Sequence, residues 1–349
     1  MSTGKFSNDD FEKIVLNQCG ATRPEIHQGP AFGVDVSVIK LGGNLAMAMT
    51  SDPLSLVPNL GLQESAWLSI HLMANDMATT GIPPAYVQMV LNLPETLSKD
   101  DFNTYWSFVN HYCKEIGVTI TGGHTGAIGE QTSTIIGGGT MVLTAPVDQI
   151  LLSCYAQPGD LIIMTKECAL SSSSILAMSF PKTVIKSLGK ETYQNACNLF
   201  HQTSSLKDGL VAAECHKNIQ QITAMHDVTE GGVLGAIYEM AIASGNGVEI
   251  NNQALPISHA VSEICNLFDI DPRYSIGAGS MIIAVKENYA KQLIEKLKRS
   301  NINAALIGKF IEKEKGYILL DDSEIKPLNY YPEDRYWQAF FNAVKRGWK

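Results

Sequence analysis

No apolar run in this sequence is long enough to cross a bilayer. The strongest runs, residues 161–164 and 281–285, are about five residues each, against the roughly 20 that a membrane helix needs. Residues 1–12 carry Lys5, Asp9, Asp10 and Glu12 and no apolar segment. No signal peptide is read there, and a cytoplasmic location is expected. The seven cysteines, Cys19, Cys113, Cys154, Cys168, Cys197, Cys215 and Cys265, form no C-x-x-C pair. That spacing offers neither a zinc site nor a disulfide framework, so reduced and mostly buried thiols are expected, Cys19 among them. Charge is also sparse, at 17% of residues, with 26 basic against 35 acidic side chains and a net charge of −9. The lysines are dispersed, which excludes the basic patch that nucleic acid requires. A Walker A lysine loop is missing, and so is a G-x-G-x-x-G that opens a helix after a strand. The P-loop and Rossmann routes to a nucleotide are therefore closed.

What is present reads as a globular α/β or α+β chain. Its 349 residues are 45% apolar, enough for two domains or one large unit. Hydrophobic periodicity predicts helices over 9–19, 62–80 and 100–116, and strands over 34–40, 45–50, 86–91, 118–121 and 140–144. The glycine-rich stretches between the last two strands read as loops. Pro146 and Pro158-Gly159-Asp160 punctuate a junction over 145–158. Beyond it come helices over 173–179, 191–200, 208–215, 232–243 and 289–299, with strands over 161–165, up to 225, 280–285 and 305–310. An irregular segment is expected between 243 and 280. The expected domains are 1–148 and 158–318, followed by an aromatic-rich tail, 319–349, that reads as a packed terminal helix.

Four short segments place an aspartate in a Gly- or Pro-flanked loop or at a helix edge, beside an apolar strand. They are Gly33-Val34-Asp35, Thr50-Ser51-Asp52-Pro53, Asn75-Asp76 and His226-Asp227-Val228-Thr229-Glu230-Gly231-Gly232. Any one alone is an ordinary turn former or helix cap. Together they are what a metal–triphosphate site demands. Carboxylates cannot approach phosphates directly, and Mg²⁺, a hard cation with oxygen ligands, bridges the two. Backbone N–H groups of Gly122-Gly123-His124-Thr125-Gly126 or Gly137-Gly138-Gly139 could hold the phosphates. The sequence thus points to ATP and Mg²⁺, with Asp35, Asp52, Asp76 and Asp227 as metal ligands. Histidine is the usual general base near neutral pH, and His226, adjoining Asp227, is a candidate.

In order and spacing these segments resemble the aminoimidazole ribonucleotide (AIR) synthase superfamily. That PurM-like group includes the hydrogenase maturation factor HypE, thiamine-monophosphate kinase and selenophosphate synthetase. The resemblance is carried by Gly33 to Val38, Thr50 to Asp52, Asn75-Asp76-Met77-Ala78-Thr79-Thr80-Gly81-Ile82-Pro83-Pro84, Thr121 to Thr125, and His226 to Gly232 with the helix after it. It implies two α/β domains, with the N-terminal ones of a homodimer closing into a barrel and ATP bound at the dimer interface. It implies phosphoryl activation of an oxygen on a small substrate. Asp76, Asp227 and His226 would be catalytic. Asp35, Asn75, Gly122, Gly123, His124, Thr125, Thr229 and Gly231 would bind the cofactor. HypE-like proteins carry a C-terminal cysteine tail, whereas here residues 345–349 read Lys-Arg-Gly-Trp-Lys, so carbamoyl dehydration is not expected. A kinase like thiamine-monophosphate kinase, through Asp227 and Glu230, and a weakly catalytic scaffold for a maturation partner are the alternatives. Gly126 stands where relatives often carry an acid, which Glu130 could replace. Ser171 to Ser174 read equally as an anion site or as caps. Neither a nucleic-acid nor a membrane partner is expected.

Overall fold

Runs without alternation mark buried strands, and alternation marks strands with one wet face. Both kinds are present in the computed structural model, which describes residues 7–129, 135–214, 221–322 and 324–349. The first half supplies β1 (Ile26–Gln28), β2 (Ser37–Gly42), β3 (Leu45–Ser55), β4 (Tyr86–Pro94), β5 (Thr119–Ile128) and β6 (Ile135–Pro146). These form one sheet in the order β1-β2-β3-β6-β4-β5. The second half supplies β7 (Leu161–Thr165), β8 (Ile222–Asp227), β9 (Gly247–Asn251), β10 (Met281–Val285), β11 (Ala304–Ile311), β12 (Tyr317–Asp321) and β13 (Glu324–Pro327). They form a second sheet in the order β13-β12-β9-β11-β7-β10-β8. The fold is therefore mixed α/β, built on two sheets.

In the first sheet, β4 alternates cleanly. Val87, Met89 and Leu91 are buried, while Tyr86, Gln88 and Val90 are exposed. The buried side meets helices Leu62–Ala78 and Lys99–Glu115. The second of these is the crossover that the parallel pair β4–β5 requires. Ser98 caps it by accepting from Asp101 N. In the second sheet, β10 is apolar throughout and β7 is apolar up to Thr165, and both are buried on both faces apart from Leu161. Ile163, Met281 and Ile283 join one core with Ile70, Met73 and Met77 of the first half, while Ile162, Met164 and Ile282 face another core. The helix Leu62–Ala78 thus lies between the two sheets and joins them.

Several expectations are corrected. The stretches Gly122–Gly126 and Gly137–Gly139 are strand, not loop. Glycine serves here for close approach, since a Cβ at Gly123 or Gly137 would overlap a β4 carbonyl. The segment expected to be irregular holds β9 and the helix His259–Phe268, capped by Ser258. Residues 8–18 are helical as expected, though as adjoining α, π and 3-10 turns in place of one regular helix. Cys19 is exposed at their end because those turns bury none of their residues. Cys113, Cys168 and Cys265 are buried as expected, and Cys215 lies outside the described residues. The terminal helix, Arg335–Lys345, is present and follows the β12–β13 hairpin.

The helix between the sheets also grips the loop 203–205. Trp67 Nε1 donates to Thr203 Oγ1 at 2.9 Å. His71, stacked on Trp67, has Nδ1 2.8 Å from Ser204 Oγ. Lys166 Nζ donates to Ser204 O and to Asp208. Burial, and secondarily the nearby His201, lower the pKa of His71 from 6.5 to about 3. As pH falls below 6.5 the unfolded chain takes up a proton that folded His71 refuses. Stability present above that pH is therefore lost on acidification, by up to ~1.4 kcal/mol per pH unit from this group. His71→Gln is expected to flatten that acid limb in denaturant titrations run between pH 3 and 6.5. An unchanged slope would count against the assignment.

Candidate active site

Each of the four aspartates is delivered by a different element. Asp35 sits in the coil before β2, and Asp52 in β3 opposite Gly139. Asp76 is near the end of the helix Leu62–Ala78, and Asp227 is the last residue of β8. Asp52 and Asp227 are thus strand residues and not loop residues. Strand β3 continues through Pro53 because β2 pairs with it only as far as Met49, whereas β6 accompanies it to Ser55. On that one-sided stretch a residue without an N–H is tolerated.

The four side chains converge. Thr50 Oγ1 donates to Asp76 Oδ2 at 2.6 Å. Burial first, then the charges of Asp227, Asp52 and Asp35, push the Asp76 carboxyl well above its ordinary pKa, with the Thr50 bond pulling the other way. His226 lies beneath them and is 1% exposed. Its Nδ1 is 3.3 Å from Asp35 Oδ1 and 3.8 Å from Asp227 Oδ1, and its Nε2 is 3.5 Å from Glu239 Oε2. Burial opposes charge on this ring, but Asp35, Asp227 and Glu239 together outweigh it and raise its pKa well above the ordinary histidine value. A ring with carboxylates at both nitrogens suits an imidazolium, which donates from both. The geometry therefore favours a resident counter-ion over the neutral base that the sequence suggested.

Asp35, His226 and Asp227 can each bring one ligand atom within 4.8 Å of the others. Crowded carboxylates of this kind fit a hard divalent cation, for which oxygen donors and water are the ordinary ligands. Asp35 and Asp227 of this group could hold it, with Asp52 and Asp76 within electrostatic reach.

Other expected site residues are placed differently. Asn75 is fully buried, and its amide donates to Thr203 O at 3.0 Å and accepts from Ser205 N at 2.7 Å. It fixes the loop 203–205. Gly122, Gly123, His124 and Thr125 lie on the exposed edge strand β5. Gly123 shares a lateral row with Met89, Gly139 and Asp52, which puts it three strand spacings, about 14 Å, from that aspartate. Thr229 and Gly231 lie in the turn after β8, where Thr229 O accepts from Gly232 N. The Gly231 N–H is engaged by Asp334 Oδ2 at 3.0 Å. Ser171 and Ser172 donate to Ile276 O, Ser174 donates to Leu170 O, and all four serines are buried. That favours packing over anion binding. Glu130 lies outside the described residues.

Sequence reasoning passed over Thr50, Glu239, Tyr330 and Asp334. Glu239 had a readable signal, as the one charged residue of the otherwise apolar helix Gly232–Ser244. A cleft of about 1080 Å³ lies elsewhere, beside the terminal helix. Its charges include the pairs Asp271–Arg273 and Asp321–Lys326. Of the four aspartates, Asp35 lines a recess of about 270 Å³, together with Phe32 and Glu239. The candidate site is read at the aspartates because negative charge is concentrated there, with the carboxyl of Asp76 raised by its three acidic neighbours and His226 as the adjoining counter-ion.

Residues 33–143 match the AIR synthase related protein N-terminal domain, and residues 157–321 match the AIR synthase related protein C-terminal domain. The chain belongs to the AIR synthase related family. Among its relatives, carbamoyl dehydratase HypE of Escherichia coli is 26% identical over 254 residues, covering 71% of this chain and 70% of that protein. A selenide, water dikinase of Methanococcus maripaludis is 28% identical over 267 residues, covering 73% and 74%. The solved structure of the hydrogenase maturation protein HypE in complex with ATP superposes with a TM-score of 0.69 at 19% identity, covering 96% of this chain and 97% of that one. Among the described residues no helix is long and apolar enough to cross a membrane.

Because Asp76 holds its proton more tightly in the fold than in the unfolded chain, the metal-free protein loses stability as pH rises above the ordinary aspartate range. Asp76→Asn is expected to raise the metal-free Tm at pH 7 by a few degrees and to abolish any rise on adding MgCl₂. Thermal unfolding with and without Mg²⁺ tests both. A lower metal-free Tm would contradict the electrostatic account.

Proposed function

We propose that this chain is an ATP- and Mg²⁺-dependent enzyme that transfers a phosphoryl group to an oxygen of a small molecule. One observation carries the reading: four carboxylates from four separate elements are held within electrostatic reach of one another. Such an arrangement is unfavourable by itself and becomes favourable around a divalent cation. The bound ion would neutralise phosphate charge during transfer. Asp35, Asp52, Asp76 and Asp227 would hold it, while His226 balances part of their charge from beneath. The reading is supported by relatives named as a dehydratase and a dikinase and by the ATP complex of a protein with this fold. Release of ADP from ATP, dependent on Mg²⁺ and on an added substrate, is the expected activity. Asp76→Ala and Asp227→Ala should each lower it by about 10²-fold or more. Activity at wild-type levels in both variants would refute the assignment.

The enzyme acts as a homodimer in this reading. The face of the first sheet opposite its helices exposes Tyr86 and Val90, and Leu41, Leu45 and Ile128 are exposed on neighbouring strands. Among the described residues, strand β5 leaves one edge unpaired. An apolar face and a free edge together ask for a covering partner, and a second copy supplies both. Val90→Asp is expected to convert a dimer into a monomer in sedimentation experiments. A wild-type protein that sediments as a monomer would remove the dimer.

A further inference from the structure

The segment 328–336 lies beyond residue 321, where the match to the family ends. It nevertheless reaches the acidic centre from behind. Leu328 N donates to Tyr317 O and seats the segment against β12. The Tyr330 ring stacks on Tyr238, with centroids 5.0 Å apart, and meets the edge of Phe32. With the ring held by packing, its hydroxyl donates to Glu239 Oε1 at 3.1 Å. The other oxygen of Glu239 faces His226 Nε2 at 3.5 Å, and His226 Nδ1 faces Asp35 and Asp227. A few residues on, Asp334 accepts from Gly231 N in the turn after Asp227 and from Tyr336 N at the start of the terminal helix.

From this geometry we infer that Tyr330 is a positioning residue for the metal-binding carboxylates, acting through Glu239 and His226, and that Asp334 fixes the Asp227 turn from the same segment. The inference rests on the reading of the four aspartates as a metal centre. The physical argument is one of orientation. A carboxylate with one oxygen bonded to a fixed hydroxyl cannot swing, so Glu239 meets His226 Nε2 from one direction, as an ion-pair contact at 3.5 Å. That direction biases where His226 meets Asp35 and Asp227. Outer partners of this kind set ligand orientation, and losing one commonly weakens metal binding by about 10–100-fold. Tyr330 stands two residues further out than His226, the direct partner, so the lower end of that range is expected.

The test is Mn²⁺ binding to the full chain, followed by electron paramagnetic resonance, with Tm measured alongside. Tyr330→Phe removes one oxygen and keeps the stacked ring, so folding is not at risk. It is expected to weaken Mn²⁺ binding about tenfold with Tm unchanged. In a Glu239→Gln background the further effect of Tyr330→Phe should shrink to less than about twofold, since its route to His226 is already altered. Asp334→Asn should weaken Mn²⁺ binding independently of Glu239. Unchanged Mn²⁺ affinity in Tyr330→Phe, an equal loss in both backgrounds, or a loss that only follows a fall in Tm would each overturn the inference while leaving the metal centre standing. Failure of the wild-type protein to bind Mn²⁺ would overturn the metal centre and the inference with it.

Discussion

Like charges repel, and four carboxylates held together in a partly buried site repel strongly. Much of this molecule can be understood as what keeps Asp35, Asp52, Asp76 and Asp227 in place against that repulsion. Thr50 donates to Asp76 from the adjoining strand. Asp227 sits at the end of a strand whose neighbour, β10, is wholly buried. His226 contributes a ring flanked by carboxylates on both sides. The rest is done by packing, because the helix that carries Asp76 is locked between two sheets by a single continuous core.

That helix is the mechanical link between the halves of the chain. One face of it binds the loop 203–205 through Trp67, His71 and Asn75. Another face presents Asp76. Asn75 and Asp76 are adjacent in sequence and point to different tasks, one structural and one electrostatic. A helix turns about 100° per residue, so neighbours along it face different surroundings. A motif that reads as one functional unit is therefore divided between holding the fold and forming the site.

The secondary structure was legible wherever periodicity was strong. The helix 62–78, the crossover helix 99–115 and the apolar strands β7 and β10 follow directly from their patterns. It was least legible where glycine has two meanings. Gly122 to Gly126 and Gly137 to Gly139 signal turns in isolation, but they are strand, and at Gly123 and Gly137 a β4 carbonyl stands too close for a side chain. Asp52 was likewise assigned to a loop on account of Pro53, which in fact occupies a one-sided stretch of strand. Cys19 was expected to be buried on composition alone, and it lies exposed beside short helical turns with no buried residues.

By itself the sequence determined the membership of the four aspartates, the absence of P-loop and Rossmann routes, and the two-unit α/β organisation. These depend on residue identity and local spacing, which need no third dimension. Tertiary structure alone decided that Asn75 and the Gly231 N–H are engaged within the protein, that His226 lies between carboxylates, and that Tyr330 reaches Glu239 and Asp334 the turn after Asp227 from outside the matched domains. Most of those contacts join residues far apart in the chain, as Tyr330 to Glu239, Gly231 to Asp334, Asn75 to Thr203 and His226 to Asp35. Such contacts are set by how sheets and helices pack, and no local pattern in the chain records them.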